Sequence, residues 1–180
     1  MTALYWINCS HSFSPPKPFL ASINLEVLDI SLDGTLRVNY PMLWGCYDAT
    51  STKFDSYTSR GLVFYQSRNK FVATGCNNFA SLNDAENIFL CGCMSDCVDG
   101  NREMNINNSS NGINCCQTAI PVLDVFSASL RSMDTATYNI SPFSKYAFIV
   151  EQKWFETNPV PVVLEWHIDP TLFPLVTGNN

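Results

Sequence analysis

The chain has 180 residues, of which 46% are hydrophobic and only 14% charged, and a formal net charge of −6. This apolar content excludes intrinsic disorder, which needs low hydrophobicity and high net charge, and the acidic balance excludes the basic face of a nucleic-acid binder. No run approaches the roughly 18 apolar residues of a membrane-spanning helix, so no membrane span is expected in this sequence. The charge is uneven: residues 1–90 hold 6 basic and 7 acidic side chains, residues 91–180 hold 4 and 9. A polyanionic ligand should therefore prefer the first half.

In chain order, the opening Met1 to Cys9 stretch has no basic segment and no small-residue cleavage site, and is not read as a signal peptide. Residues 23–27 alternate apolar and polar; the phase then slips at Leu28 and continues through Ile30 and Leu32, as a β-bulge would produce. Asp33-Gly34 follows, and alternation resumes over residues 36–40, which together predict a hairpin. A second hairpin is expected between residues 61–67 and 70–75, turning near Arg68 and Asn69. Residues 79–87 suggest a short helical turn at most. Further strands are expected at residues 88–91, 122–130, 146–151 and 160–168. The last places Val160, Val162, Leu164, Trp166 and Ile168 on one face, with Glu165 and His167 on the other. Residues 99–114 form a polar loop bounded by cysteines. The fold class is all-β: a disulfide-stapled twisted sheet or sandwich, with that long polar loop.

Eight cysteines are present, five of them within residues 91–116. The spacing from Cys93 to Cys97, with the Cys115-Cys116 pair, formally offers four thiolates to zinc. Adjacent cysteines on an extended chain point to opposite faces, which makes them poor co-ligands. Asn-x-Ser/Thr acceptors at Asn107 and Asn108, with weaker ones at Asn8, whose middle position is Cys9, and Asn139, which Pro142 follows, accompany the cysteines, and the combination favours a secreted, oxidised protein over a metal site. No metal or other cofactor is expected.

Catalytic chemistry finds little support. The two histidines, His11 and His167, stand at opposite ends of the chain, and no Gly-rich phosphate loop is present. Asp96 with Asp99, or Glu165 with Asp169, are formal carboxylate pairs of the kind a glycosidase needs, but pairs beside turns are commonly solvated. The chain is read as a non-enzyme.

Five segments carry a pattern: Arg68-Asn-Lys-Phe-Val-Ala-Thr-Gly-Cys-Asn-Asn-Phe-Ala80, Gly92-Cys-Met-Ser-Asp-Cys97, Gly112-Ile-Asn-Cys-Cys-Gln-Thr-Ala-Ile-Pro121, Tyr146-Ala-Phe-Ile-Val-Glu-Gln-Lys-Trp-Phe155 and Pro161-Val-Val-Leu-Glu-Trp166. In this order they resemble the extracellular region of plant wall-associated receptor kinases. Upstream, Cys9-Ser-His-Ser-Phe13 and Glu26-Val-Leu-Asp-Ile-Ser-Leu-Asp-Gly-Thr-Leu-Arg-Val38 look like the latter part of its galacturonan-binding module. The resemblance implies two regions: residues 1–50 from that module and residues 51–180 from the cysteine-rich region, forming one unit. It implies an ectodomain facing the cell wall, with a plasma-membrane parent that carries EGF repeats, a membrane span and a kinase not found in this sequence. It also implies a disulfide set drawn from Cys46, Cys76, Cys93, Cys97, Cys115 and Cys116. Cys9 matches a family cysteine whose expected partner lies upstream of this sequence, and Cys91 is additional.

The partner so implied is pectin or its oligogalacturonide fragments. A galacturonan offers carboxylates and an apolar ring face, so its site should combine cations with aromatics. Residues 53–71 hold Lys53, Arg60, Arg68 and Lys70 against Asp55 alone, interleaved with aromatics that include Tyr57 and Tyr65. Arg37 is a weaker addition. The alternative is that the aromatics are core and the cations merely keep a turn soluble. The competing function is a non-catalytic spacer, or a module that pairs with another receptor ectodomain or a protein of the cell-wall space.

Overall fold

The computed structural model describes residues 5–45, 51–57, 62–96, 115–123, 125–133, 145–153 and 161–166. These form β-strands joined by turns, with no helix among them. The strands are β1 (Ile7–Ser10), β2 (Lys17–Leu20), β3 (Leu25–Ile30), β4 (Thr35–Asn39), β5 (Leu43–Gly45), β6 (Ser51–Tyr57), β7 (Leu62–Phe64), β8 (Asn69–Thr74), β9 (Asn78–Asn83), β10 (Phe89–Ser95), β11 (Cys115–Ala119), β12 (Val125–Ser132), β13 (Lys145–Glu151) and β14 (Pro161–Trp166). They assemble into a six-stranded sheet of order β1-β2-β3-β4-β14-β7 and two four-stranded sheets, β10-β9-β12-β6 and β11-β8-β13-β5. All pairings between these strands are antiparallel.

The first expected hairpin forms as read. β3 pairs β4, and its register slips between Val27 and Asp29, which isolates Leu28 as the bulge. The slip lets Val27 stay buried opposite Val38 while the strand changes phase. In the turn, Gly34 takes φ 86°, a left-handed conformation that costs glycine nothing. The Asp33 carboxylate accepts from the Thr35 amide at 3.1 Å and from its hydroxyl at 2.6 Å.

The second expected hairpin does not form. β7 pairs β14, whereas β8 pairs β11 and β13 in a different sheet. The intervening chain folds as a tight turn in which the amides of Arg68 and Asn69 both donate to the Tyr65 carbonyl, each at 3.1 Å. Asn69 explains the switch. Its fully buried amide donates to the carbonyls of Val163 at 2.7 Å and Tyr65 at 2.9 Å, and its Oδ1 accepts from Val163 N at 2.9 Å. That side chain continues the ladder along β14 where β7 ends, so the backbone is free to leave the sheet.

The helical turn expected in residues 79–87 is likewise replaced by a strand. β9 lies centrally between β10 and β12, with Asn78, Ala80 and Leu82 buried. Asn78 is accommodated because its amide donates to the carbonyls of Thr74 at 2.9 Å and Tyr146 at 3.3 Å. Only residues 84–87 form a turn.

One hydrophobic core joins residues of all three sheets, among them Leu36, Val38 and Leu164 of the first, Leu82 and Phe126 of the second, and Phe71 and Ile149 of the third. Phe64 sits at its centre, with Tyr40 at 5.2 Å and Phe126 at 5.3 Å in edge-to-face geometry. Cys93 of β10 and Cys116 of β11 close a disulfide between the two four-stranded sheets across a sequence separation of 23. Loop-closure entropy assigns such a bridge about 3 kcal/mol. Cys93→Ser is expected to lower unfolding stability by roughly that amount in urea melts; a change below about 1 kcal/mol would show that core packing alone holds the sheets together.

Cys76 is also disulfide-bonded. Cys115, expected in the same framework, instead keeps a thiol directed at the Cys116 carbonyl at 3.9 Å. The reason is strand alternation: Cys116 faces the core and its bridge, so Cys115 faces away, buried with Val72 and Val150. Cys46 and Cys97 lie outside the described residues.

Candidate functional site

The expected cationic stretch resolves into parts with different roles. Arg68 leaves the β7–β8 turn and crosses to two carboxylates. Its Nη2 lies 3.0 Å from Glu151 Oε1, and its Nη1 lies 3.3 Å from Asp33 Oδ2 and 3.3 Å from Thr35 Oγ1. Arg37 reaches the same Glu151, its Nη2 at 2.9 Å from Oε2 and 3.2 Å from Oε1. Glu151 is 2% exposed, while the two arginine side chains remain about a third exposed, 33% and 34%. The Tyr65 ring lies 6.0 Å from the Arg68 guanidinium carbon. Hydrogen bonds from Thr35 and then Ser31, with the Arg68 charge adding less, hold the Asp33 carboxyl below its ordinary range.

This is a charge-balanced clamp. Two guanidinium groups meet one buried and one exposed carboxylate, tying the β3–β4 turn and β4 to β13. A polyanion at this point would compete with Glu151 and Asp33 for Arg68. Lys70, half-buried on β8, stands opposite Ala119 and Val150. Lys53 and Tyr57 lie on β6, in register with Ser129 and Val125. Arg60 lies outside the described residues. The fold thus brings Arg68 and Tyr65 together and adds Arg37; it sets Lys53 and Tyr57 on a different sheet.

A second polar and aromatic cluster, absent from the sequence reading, lies on β2, the loop before it and β3. Phe13 stacks on Phe19 at 5.8 Å, and Lys17 Nζ sits 5.1 Å over the Phe13 ring and 2.8 Å from Glu26. That lysine, through its hydrogen bond, pulls the Glu26 carboxyl below its usual range, with Asn39 assisting. The only sequence signal for this cluster was the density of aromatic residues in a stretch too short and too rich in proline to read as strand.

No group of three or more metal-ligating side chains occurs among the described residues. Burial pushes the Cys91 thiol up to about 11, which favours its protonated, less nucleophilic form at neutral pH.

The chain is similar to several curated proteins of Arabidopsis thaliana. It is 30% identical to wall-associated receptor kinase 5 over 186 residues, covering 91% of this chain and 24% of that protein. It is 31% identical to wall-associated receptor kinase 4 over 168 residues, covering 80% of this chain and 22% of that protein. Wall-associated receptor kinase 2 gives 29% over 165 residues, or 81% of this chain. The chain is a wall-associated receptor kinase ectodomain-like segment.

It spans about a quarter of the length of these relatives. No family model and no solved structure matches it. The segments that carry the family resemblance have structural duties here. The block around Cys115 and Cys116 is β11 and supplies the inter-sheet bridge. The block from Arg68 to Ala80 runs from the charge clamp, through the Asn69 cap, to a corner where Gly75 takes φ 108° and its carbonyl accepts from Ser95 Oγ at 2.8 Å.

Proposed function

We propose that this chain is a non-catalytic extracellular receptor segment that binds pectic polysaccharide at the cell wall. The observation that carries the reading is its similarity, over 91% of its length, to a protein named for wall association. The cations and rings around Arg68 and Tyr65 support it chemically: Arg37 and Arg68 are held in place by Glu151 yet keep a third of their side-chain surface in solvent. Fixed guanidinium groups lose little freedom when they meet a carboxylate. In this reading Lys53, Tyr57, Arg60 and Lys70 extend the contact along the polymer.

Galacturonic-acid oligomers titrated into the oxidised chain are expected to bind saturably and to weaken as salt rises. The Lys53→Ala/Lys70→Ala variant should bind about three- to tenfold more weakly with an unchanged near-UV spectrum, given up to about 1 kcal/mol per exposed ion pair. No heat at either low or physiological salt, from a folded sample, would overturn the reading.

A second reading is a protein-interaction module. It is favoured by the outer face of β10-β9-β12, where Met94, Phe79 and Arg131 align in register and Phe89, Met94 and Met133 are exposed. Aromatic residues, methionine and arginine are the types enriched at protein interfaces.

A further inference from the structure

We infer that Asn8 is an N-glycosylation site and that its glycan is seated by the aromatic residues around it. Asn8-Cys9-Ser10 is an acceptor triplet, and Asn8 is exposed on β1. β1 pairs β2 with Asn8 opposite Phe19 and Ser10 opposite Lys17, and Trp6 O accepts from Ala21 N at 2.8 Å. Alternation along a strand places Trp6, Asn8 and Ser10 on one face, with Phe19 and Lys17 beside them on β2. The other face turns inward, as fully buried Leu20 shows.

Asn8 therefore lies between two aromatic neighbours. Trp6 is one step along the strand, about 6.7 Å away, and Phe19 is directly across. Trp6 is 64% exposed and Phe13, stacked on Phe19, is 44% exposed. The Trp6 ring, left this open beside an acceptor asparagine, suits the apolar face of a pyranose, while Phe19 with Phe13 stacked on it walls the other side and Ser10 supplies a hydroxyl for hydrogen bonding. A sugar rooted at Asn8 meets these rings intramolecularly, at millimolar effective concentration, so even a weak contact is populated. β1 is also the terminal strand of its sheet. A glycan rising from its middle would obstruct addition of a foreign strand to that edge.

In the modification, Asn8 Nδ2 bonds to C1 of an oligosaccharide carried on a lipid diphosphate. The C1–O bond to the diphosphate breaks, the lipid diphosphate leaves with the electron pair, and the amide gives one proton to a base. No redox step is involved.

The test is the full chain secreted from a eukaryotic cell behind a removable leader. The leader supplies the secretory route, so the polysaccharide titration can fail without touching this result. Peptide mapping should find a hexosamine-containing glycan on Asn8, and its enzymatic release from the folded protein should lower the melting midpoint by about 2–4 °C. In Trp6→Ala the same release should change the midpoint by less than about 1 °C. An unmodified Asn8 in the secreted chain overturns the site, whether or not Asn107, Asn108 or Asn139 is modified. A modified Asn8 whose release has equal effect in both backgrounds overturns the seat.

Discussion

Glu151→Ala is expected to destabilise the fold by about 2–3 kcal/mol, the range for losing charge-assisted hydrogen bonds to a buried carboxylate whose arginine partners stay a third exposed. Glu151 is 2% exposed and faces two guanidinium groups, at 3.0 Å from Arg68 and 2.9 Å from Arg37. Deleting the carboxylate leaves two partly buried like charges around a void. The β3–β4 turn, joined to this cluster through Asp33 and Thr35, would then lose its tie to β13. Glu151→Gln keeps the volume and one acceptor but not the charge, and should recover less than half the loss. Urea unfolding of the three proteins checks this. A loss under about 1 kcal/mol for the alanine variant would mean that water replaces the carboxylate and the clamp is only a surface contact.

Asn69→Leu is expected to cost about 3–5 kcal/mol. The substitution is close in volume, so the effect isolates hydrogen bonding from packing. Three bonds disappear, and the N–H and C=O of Val163, a residue 1% exposed, lose the Asn69 side chain as partner. The Val163 carbonyl still accepts from the Tyr65 amide at 3.0 Å, so its N–H bears the larger penalty. Stranding a buried donor costs about 1–3 kcal/mol, and each lost bond adds about 1 kcal/mol. Asn69→Asp keeps an acceptor for Val163 N–H but sets a buried carboxylate oxygen against the carbonyls of Val163 and Tyr65, and should cost at least as much. Equilibrium unfolding, with hydrogen exchange at the Val163 amide, provides the measurement. Unchanged exchange there in Asn69→Leu would show that the β14 edge does not depend on this side chain.

The same two residues mark the limit of what was legible. Asp33-Gly34, the alternation on either side of it and the phase slip at Leu28 are local features, and each appears in the fold where the pattern put it. Strands around residues 88–91, 122–130, 146–151 and 160–168 were also legible, the last through its period-two alternation. Residues 61–67 and 70–75 likewise read as strands but make no hairpin with one another. Alternation says that a segment is a strand; it does not say which strand it pairs with. That choice was made by Asn69 and Val163, 94 positions apart. β9 was hidden because a central strand with Asn78, Ser81 and Asn83 looks polar until its partners are known. Ser81, for example, is buried only because its hydroxyl meets that of Ser129 at 2.7 Å.

The candidate site divides along the same line. Cation and aromatic density between residues 53 and 71 was visible, but not that Arg68 would be neutralised by Asp33 and Glu151, 35 and 83 positions away. The β1–β2 cluster was invisible for the converse reason: Asn8, Lys17 and Phe19 share a face only once two four-residue strands pair, and Phe13 joins them only by stacking on Phe19.

By itself, then, the sequence determined the all-β class, the first hairpin with its bulge, the divergence of Cys115 from Cys116 and, through its cysteine-bearing blocks, the wall-associated receptor kinase resemblance. These depend on backbone preference and side-chain alternation, which neighbouring residues dictate. The tertiary structure decided the sheet each strand joins, the Cys93–Cys116 bridge, the partners of Arg37 and Arg68, and the face on which Asn8 stands. Those depend on contacts between distant segments, whose free energy exists only once the chain has closed the loops between them.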